Sequence, residues 1–397
     1  MKNNWKHLVV AGMTMVMALS VPVSARAEEK PASPAPQSAG VADLAPSARS
    51  AILMDADSGT IVYEKNSHAK LPPASITKVM TMLLIMEAID QGRIKLTDKV
   101  PTSEYAASMG GSQIFLEPGE QMTVDEMLKG IAMASGNDAS VAMAEKIAGT
   151  ESAFVDMMNK RAGELGLKNT HFMNCNGLPA SEHYTSAHDI AVMSRELLKH
   201  NEITKYTGAY QDYLRKSSEK PFWLVNTNKL VRFYTGADGL KTGFTNEAKF
   251  CLTATAHRDT LRVIAVVMGE PNTKTRNAEV SQMLDYSFAQ YMNHTIFKKG
   301  EAMGSVKIEK GMQPVLPLTA KHSYSVLLKK GSSVKDIRYE LRINPLKAPV
   351  KINAPIGKLI VFQGDQVLTE FAVDAPVSVD RAGWWTLFKR SMGSLFG

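Results

Sequence analysis

Residues 72–89 read PPASITKVMTMLLIMEAI, and this stretch decides the fold of the chain. Two prolines break the preceding segment, and the apolar run from Ile76 to Ile89 predicts a helix that ends near Gly92. Because the run is apolar on all sides, we expect this helix to be buried at the centre of a domain. The three-residue spacing of Ser75 and Lys78 places a hydroxyl and an amine on one helix face, beside the free N–H groups of the first turn.

The segments around this helix predict a domain that mixes strands and helices. Residues 51–64 form two β-type runs around Asp57-Ser58-Gly59, which indicates a hairpin. From Gly236 onward, runs rich in β-branched residues and bounded by glycine predict further strands. Helical periodicity covers the segments 123–134, 139–148, 154–165, 186–200 and 277–291. We therefore predict an α+β domain over 47–293.

The rest of the chain predicts four smaller parts. Residues 294–380 consist of short alternating runs separated by Gly and Pro, which is typical of a small all-β domain. Residues 28–46 are rich in Pro, Ala and Ser and predict a flexible linker. Residues 1–27 begin with basic residues, continue in an apolar run and end in Ala-Arg-Ala, which predicts a cleaved secretory signal peptide. An uncleaved membrane anchor is the alternative, but the run is shorter than the roughly 20 residues of a span.

The tail, residues 381–397, is amphipathic in helical projection. Trp384, Leu387 and Phe388 fall on one side, and Lys389 and Arg390 fall opposite. At 17 residues it is short for a membrane span but suits a helix that lies in the membrane interface. A helix packed on the β-domain is the alternative.

The net positive charge is distributed unevenly among these parts. The chain has 46 Lys and Arg against 39 Asp and Glu, a formal net charge of +7. Six basic residues lie at the two ends, where no acid accompanies them: Lys2, Lys6, Arg26, Arg381, Lys389 and Arg390. The body between the ends is nearly neutral, so we predict no nucleic-acid partner.

Cysteine and histidine usage argues against a disulfide scaffold and against a metal site. Cys175 and Cys251 could pair or could remain as two buried thiols. The nine histidines are scattered, and the closest pair, His183 and His188, would not share a helix face. We therefore predict no metal and no cofactor.

Three short elements carry groups suited to nucleophilic catalysis: SITK at 75–78, SGN at 135–137 and KTG at 241–243. Each alone also fits an ordinary structural role, as a helix N-cap, an interhelical turn and the end of a strand. Ser-x-x-Lys occurs four times in the chain, but only Ser75 follows a Pro-Pro break before an apolar helix. The three elements in this order, in a protein predicted to be exported, favour catalysis.

Together the three elements resemble those of penicillin-binding proteins and serine β-lactamases. The surrounding segments PPASITKVMT, MASGNDASVAMAE and TGADGLKTGFT look like those of D-alanyl-D-alanine carboxypeptidases, the low-molecular-mass penicillin-binding proteins. The resemblance extends from about residue 45 to the end, since the β-rich part and the tail match the layout of that family. It implies a β-lactamase/transpeptidase-like domain, with an antiparallel sheet flanked by helices.

The resemblance implies an acyl-transfer cycle on peptidoglycan stem peptides that end in D-Ala-D-Ala. Ser75 would attack the carbonyl between the alanines and form an acyl-enzyme, and β-lactams would acylate and inhibit the same serine. Lys78 would be the general base. A free lysine has a pKa near 10.4, so burial and the second cation, Lys241, would have to lower it. Ser135 would relay a proton to the leaving amine, and Asn137 would position Lys78 and the substrate.

The same resemblance implies how the substrate is held. Lys241, Thr242 and Gly243 would bind its terminal carboxylate, helped by Arg276. A surface charge at a helix start is the alternative for Arg276. The backbone N–H groups of Ser75 and Phe244 would form the oxyanion hole. The protein would work at the outer face of the bacterial cytoplasmic membrane, attached through residues 381–397.

One departure and three alternatives accompany this hypothesis. Many relatives have an Asn-Pro-x-Gly-Leu segment where this chain has Asn174-Cys175-Asn176-Gly177-Leu178. The missing proline puts the geometry of that loop in doubt. A class A β-lactamase would need a Glu-x-x-Leu-Asn loop, and the nearest candidate, at Glu164, lacks the asparagine. A non-catalytic wall-binding or β-lactam-sensing module is a further alternative, and the elements do not separate carboxypeptidase from endopeptidase action.

Overall fold

The structure, a computed structural model, describes residues 43–200 and 202–396. The predicted signal peptide and most of the predicted linker therefore lie outside the described residues. The strands of the first domain are β1 Ser50–Asp55, β2 Ile61–Lys65, β3 Lys99–Pro101, β4 Gln121–Thr123, β5 Gln211–Leu214, β6 Phe222–Val225, β7 Ala237–Thr245, β8 Lys249–Arg258 and β9 Leu261–Glu270.

A five-stranded sheet forms the centre of this domain within the described ranges. Its order is β2-β1-β9-β8-β7, and each neighbouring pair is antiparallel, as in the register Ile52↔Val266. The predicted hairpin is confirmed, because Asp55 closes the turn between β1 and β2 by accepting the Ser58 N–H at 2.6 Å. The predicted antiparallel sheet flanked by helices is confirmed as well.

The helices are α1 Lys78–Asp90, α2 Glu104–Ala107, α3 Val124–Ala134, α4 Asn137–Ala148, α5 Glu151–Glu164, α6 Ala187–Leu198, α7 Ile203–Thr207, α8 Leu230–Phe233, α9 Thr273–Gln290 and α10 Trp384–Phe396. The predicted central position of α1 is confirmed. Its side chains Met82, Leu83 and Ile85 are fully buried, and it packs against α3, α4 and α6. Burying one such side chain stabilises the fold by about 1.5–3 kcal/mol, so this apolar helix anchors the domain core.

Two helix starts differ from the sequence prediction. A 3-10 turn, Ala74–Thr77, precedes α1, so Ser75 lies on this turn. Helix α9 begins at Thr273 and not at residue 277, because the Asn272 side chain accepts the Thr275 N–H at 2.8 Å and caps it. Arg276 therefore lies in the first turn of α9.

A second, all-β part follows, as the sequence predicts. Its strands are β10 Tyr291–Phe297, β11 Ala302–Glu309, β12 Val315–Thr319, β13 Tyr324–Lys329, β14 Ile337–Ile343, β15 Leu346–Lys347, β16 Pro355–Gln363 and β17 Gln366–Asp374. They form three small sheets around a shared core that includes Leu316, Val326 and Leu359. The predicted boundary between residues 293 and 294 falls inside β10.

Asn293 joins the two parts. Its side chain donates to the Asp55 carboxylate at 3.0 Å, and its carbonyl accepts the Thr260 hydroxyl at 3.0 Å. The β-domain is therefore attached at the edge of the central sheet where the β1–β2 turn lies.

The tail forms α10 and contacts the β-domain through one face. The Arg390 guanidinium donates to the carbonyls of Gly311 and Met312 at 2.7 and 2.6 Å. Trp384 and Trp385 are 66% and 67% exposed. One basic residue thus binds the β-domain, while the aromatic side chains face outward. In the part of the chain that the structure describes, no helix combines the length and the apolar character needed to cross a membrane.

Candidate active site

The site begins at the 3-10 turn before α1. Ser75 is partly exposed there, and its Oγ lies 3.1 Å from the Nζ of Lys78, one turn later. Neither end of the turn shows a side-chain cap, so Ser75 does not serve as an N-cap. Ala74 has a φ of +48°, a region that side chains rarely adopt, which sets the direction of the turn. The hydroxyl is thus reachable from solvent and is paired with a buried amine.

Lys78 is fully buried, and burial lowers its pKa to about 7. Its Nζ also contacts the Asn137 side-chain oxygen at 2.6 Å and the Asn176 carbonyl at 2.5 Å. These two oxygens can take the two N–H bonds of a neutral amine. The nitrogen lone pair then points to Ser75, which is the arrangement required for accepting its proton.

The Asn176 carbonyl is a functional group that sequence reasoning missed. It lies in the segment 174–178. The missing proline of this segment put the loop geometry in doubt, but it did not indicate a contact with Lys78. The Asn174 side chain organises the loop by accepting the N–H groups of Asn176 and Gly177 at 3.3 and 2.7 Å. The loop therefore holds a backbone acceptor against the buried amine.

Gly177 fits this loop because the backbone of the 3-10 turn approaches it closely. Its φ is +89°, and a Cβ at this position would lie 1.9 Å from the Ala74 carbonyl oxygen. We expect Gly177→Ala to lower the free energy of unfolding by more than about 2 kcal/mol and to reduce activity, because the clash displaces the turn that carries Ser75. Urea unfolding and D-alanine release measure the two effects.

Gly166→Ala is the matched control for this prediction. Gly166 has a φ of +71°, but its added Cβ would meet no heavy atom within 4 Å. It should cost only the backbone strain of about 1–2 kcal/mol and leave activity unchanged. Equal effects of the two substitutions on stability and activity would contradict the proposed close approach.

The SGN element forms the junction between α3 and α4. Ser135 ends α3 with a φ of +63°, and Asn137 begins α4. The Asn137 amide nitrogen donates to the Gly110 carbonyl at 2.6 Å, which fixes its oxygen toward Lys78. The Ser135 Oγ is buried and has no hydrogen-bond partner among the described residues. It is therefore free to bind a substrate or to relay a proton.

Strand β7 brings the KTG element to the same place. An added Cβ on Gly243 would lie 3.1 Å from the Pro73 carbonyl and 3.2 Å from the Ala74 Cβ, so the strand packs directly on the 3-10 turn. Burial, followed by the positive charges of Lys78 and Arg276, lowers the pKa of Lys241 well below its usual value. The charge of Lys78 thus lowers the pKa of Lys241, whereas the lowered pKa of Lys78 is due to its own burial.

Thr227 is a second residue that the sequence did not indicate. Its hydroxyl accepts a hydrogen bond of 2.7 Å from the Thr242 hydroxyl. It follows β6, a strand that the sequence pattern did not predict because the two strands of its hairpin are only four residues long. A short Thr-containing segment carries no distinctive signal.

Arg276 is buried rather than displayed on the surface. Its exposed fraction is 4%, and its Nε and Nη2 donate to the Asn277 side-chain oxygen at 3.1 and 2.9 Å. Burial lowers its pKa, although Cys251 and Glu270 oppose the shift. Phe244 is half-exposed, with its ring 4.4 Å from that of Phe250 on β8. Cys175 and Cys251 are both free and buried.

The fold and the site define an acyl-transfer enzyme with the fold of penicillin-binding proteins. Residues 36–272 match the family described as D-alanyl-D-alanine carboxypeptidase, and residues 291–381 match the C-terminal domain of penicillin-binding protein 5. The chain therefore belongs to the D-alanyl-D-alanine carboxypeptidase family. The expectation of an enzyme of this class is confirmed.

Individual relatives agree with this assignment. The chain is 54% identical to the D-alanyl-D-alanine carboxypeptidase DacF of Bacillus subtilis, over 88% of this chain and 90% of that protein. Penicillin-binding protein 5 of Haemophilus influenzae has a similar structure, with a TM-score of 0.66 and 29% identity over 84% of this chain and 98% of that one. Penicillin-binding protein D2 of Listeria monocytogenes, solved in an ampicillin-bound form, has a TM-score of 0.55 and 27% identity, covering 61% and 98% of the two chains.

Proposed function

We propose that the chain removes the terminal D-alanine from peptidoglycan stem peptides through an acyl-enzyme on Ser75. The pairing of Ser75 with the buried Lys78 carries this proposal. The amine takes the hydroxyl proton, and the serine oxygen bonds to the carbonyl carbon between the two alanines. The backbone N–H groups of Ser75 and Phe244 stabilise the negative oxygen that forms.

The second half of the reaction uses the same groups. The peptide C–N bond breaks, and the departing D-alanine nitrogen takes a proton through the Ser135 hydroxyl from the protonated Lys78. Water then attacks the ester carbon and loses a proton to the amine, so the acid is released and Ser75 recovers its hydrogen. The unpartnered Ser135 Oγ and the Asn137 contact with Lys78 support these roles.

Lys241, Thr242 and Arg276 bind the terminal carboxylate of the substrate. A buried cation has lost its hydration, so a carboxylate that replaces the missing water is attracted strongly. Gly243 allows the strand to lie against the nucleophile turn. Binding also raises the pKa of Lys241 toward its usual value, because an anion then faces it.

The direct test incubates the purified protein with a peptide that ends in D-Ala-D-Ala and, separately, with penicillin. We expect release of one D-alanine per peptide and a protein mass that increases by one penicillin molecule. Failure of both reactions would overturn the proposal. Cleavage of cross-linked stem-peptide dimers, without release of D-alanine from the peptide, would indicate an endopeptidase instead.

The penicillin adduct is expected to persist. The nearest candidate for a class A deacylating group, Glu164, ends α5 and pairs with Arg161 at 3.3 Å. The ampicillin-bound relative supports β-lactam binding at this fold. Rapid steady hydrolysis of penicillin would contradict this part of the proposal.

We also assign the parts of the chain as predicted: signal peptide 1–27, linker 28–46, catalytic domain 47–293, β-domain 294–380 and anchor 381–397. The family matches at 36–272 and 291–381 support the two domains. Export to the outer face of the bacterial cytoplasmic membrane follows from the signal sequence. The exposed aromatic face of α10 supports attachment to the membrane surface.

Apolar insertion should dominate this attachment. Because Arg390 binds the β-domain, Arg381 and Lys389 remain and supply about 2 kcal/mol toward anionic lipid. Trp384, Trp385 and Phe388, half inserted, supply roughly 6 kcal/mol before ordering costs. We therefore expect high salt to leave the protein on anionic vesicles, whereas deletion of 381–397 should release it into the supernatant.

The double substitution Trp384→Ser and Trp385→Ser sharpens this test, because it keeps both basic residues and the contacts of Arg390. It should weaken vesicle binding nearly as much as the deletion. Release of the unmodified protein by salt alone would show that the anchor is mainly electrostatic.

A further inference from the structure

The hairpin β5–β6 has one buried face and one face open to solvent. Leu214 and Leu224 are buried on the inner side, whereas Tyr213 and Trp223 lie directly opposite each other on the outer side, 47% and 57% exposed. Two large aromatic side chains in a cross-strand pair rarely face water without a partner. The exposure of both rings shows that this face is open to solvent.

The outer face leads directly to the catalytic site. Side chains alternate along an extended strand, so Trp223, Val225 and Thr227 share one face, and exposure alternates accordingly. Thr227 is hydrogen-bonded to Thr242 of the KTG element. Four residues at about 3.3 Å each place Trp223 roughly 13 Å from this contact.

Phe115 is a third exposed aromatic side chain near the hairpin, but it contacts the inner face, because Phe222 lies opposite Leu214. Phe115 is 65% exposed, and its ring lies 5.8 Å from that of Phe222. Arg215 of the hairpin donates to the Ile114 and Phe115 carbonyls at 3.1 and 3.0 Å. The loop that bears Phe115 reaches the site through the Ser112 carbonyl, which accepts the Asn137 N–H at 2.7 Å.

We propose that Tyr213 and Trp223, here called the aromatic patch, bind the glycan strand to which the stem peptide is attached. This inference rests on the proposed function, because it places the polymer beside the peptide that the site cleaves. The terminal carboxylate lies at Thr242, so the whole pentapeptide stem, about 17 Å when extended, separates that contact from the glycan strand. Trp223, roughly 13 Å from the contact of Thr227 with Thr242, lies within this reach.

The chemistry of the patch fits a sugar chain better than a lipid or a protein. Pyranose rings present C–H bonds that stack on aromatic faces and hydroxyl or acetamido groups at their edges. The outer face likewise combines rings with polar side chains, since Gln211 neighbours Tyr213 on β5 and Thr227 follows Val225 after β6. A lipid-binding face would be continuously apolar.

The test compares two substrates for the full chain with Tyr213→Ala and Trp223→Ala combined. One is insoluble peptidoglycan that retains pentapeptide stems, and the other is a soluble peptide that ends in D-Ala-D-Ala. We expect the apparent KM for the polymer to increase about tenfold, because two stacking contacts are lost. The kcat on the polymer and both constants for the soluble peptide should stay unchanged.

Two further measurements make the result specific. Replacing both residues with phenylalanine keeps the rings and should restore the polymer KM, whereas Tyr339→Ala, which removes a 52% exposed ring from the β-domain, should have no effect. Glycan strands stripped of peptides should bind the unmodified chain and not the double variant.

The outcomes separate this inference from the proposed function. If the unmodified chain releases no D-alanine from the soluble peptide, the proposed function fails. If it does, and the double variant has an unchanged KM on the polymer, the aromatic patch does not bind glycan. An equal rise of KM on both substrates would assign the patch to the peptide and overturn the inference.

Discussion

Ser75→Ala is expected to release D-alanine about 10⁴-fold more slowly or worse, and to gain no mass on incubation with penicillin. The substitution removes the one oxygen that can bond to the carbonyl carbon, and the remaining groups cannot replace a nucleophile. The methyl group fits the same space on the 3-10 turn, so the fold should persist. Steady-state D-alanine release and intact-protein mass measure the two effects.

The chain offers a matched control in its other Ser-x-x-Lys pairs. Ser332 and Lys335 have the same spacing and lie in the β-domain, away from an apolar helix. Ser332→Ala should leave both reactions unchanged. A penicillin adduct on Ser75→Ala would show that another residue is the nucleophile and would end the central assignment.

Lys78→Met is expected to slow acylation by about 10²- to 10⁴-fold, which is the usual contribution of a general base. Methionine fills a similar buried volume but cannot accept a proton. Acylation by a chromogenic β-lactam, followed under single-turnover conditions, measures the rate. Lys335→Met, which changes the exposed lysine of the control pair, should have no effect. An unchanged rate in Lys78→Met would remove this lysine from the base role.

The pH dependence follows from the neutral amine that the reaction requires. Because burial lowers the pKa of Lys78 to about 7, acylation should rise with pH through a midpoint near 7 and then level off. A midpoint near 10 would show an unperturbed lysine and contradict the burial argument.

Stability gives an independent measure of the same shift. The pKa of Lys78 is lower in the folded chain than in the unfolded chain, so between pH 7 and about 10.4 the unfolded chain binds more protons. The free energy of unfolding of the unmodified protein, relative to Lys78→Met, should therefore increase as the pH rises through this window. A constant difference would mean that the folded state does not depress this pKa.

Much of the fold and most of the candidate site were predictable from local sequence. The apolar run after Pro72-Pro73 predicted the buried helix, and glycine-bounded β-branched runs predicted β7, β8 and β9. The short hairpin β5–β6 was not predictable, since two four-residue strands have little periodicity of their own. The early start of α9 was missed although Asn272 is a suitable cap, because the apolar pattern becomes regular only later.

The amino-acid sequence by itself determined which side chains could react, since Ser75, Lys78 and the KTG element stand in a characteristic order. Only the tertiary structure decided the hydration and the hydrogen-bond partners of these side chains. Lys78 loses its hydration because α1 is buried, and its two N–H acceptors come from positions 137 and 176, which are 59 and 98 residues away. A pattern along the chain specifies residue types, whereas dehydration and hydrogen bonding depend on distant segments meeting in space.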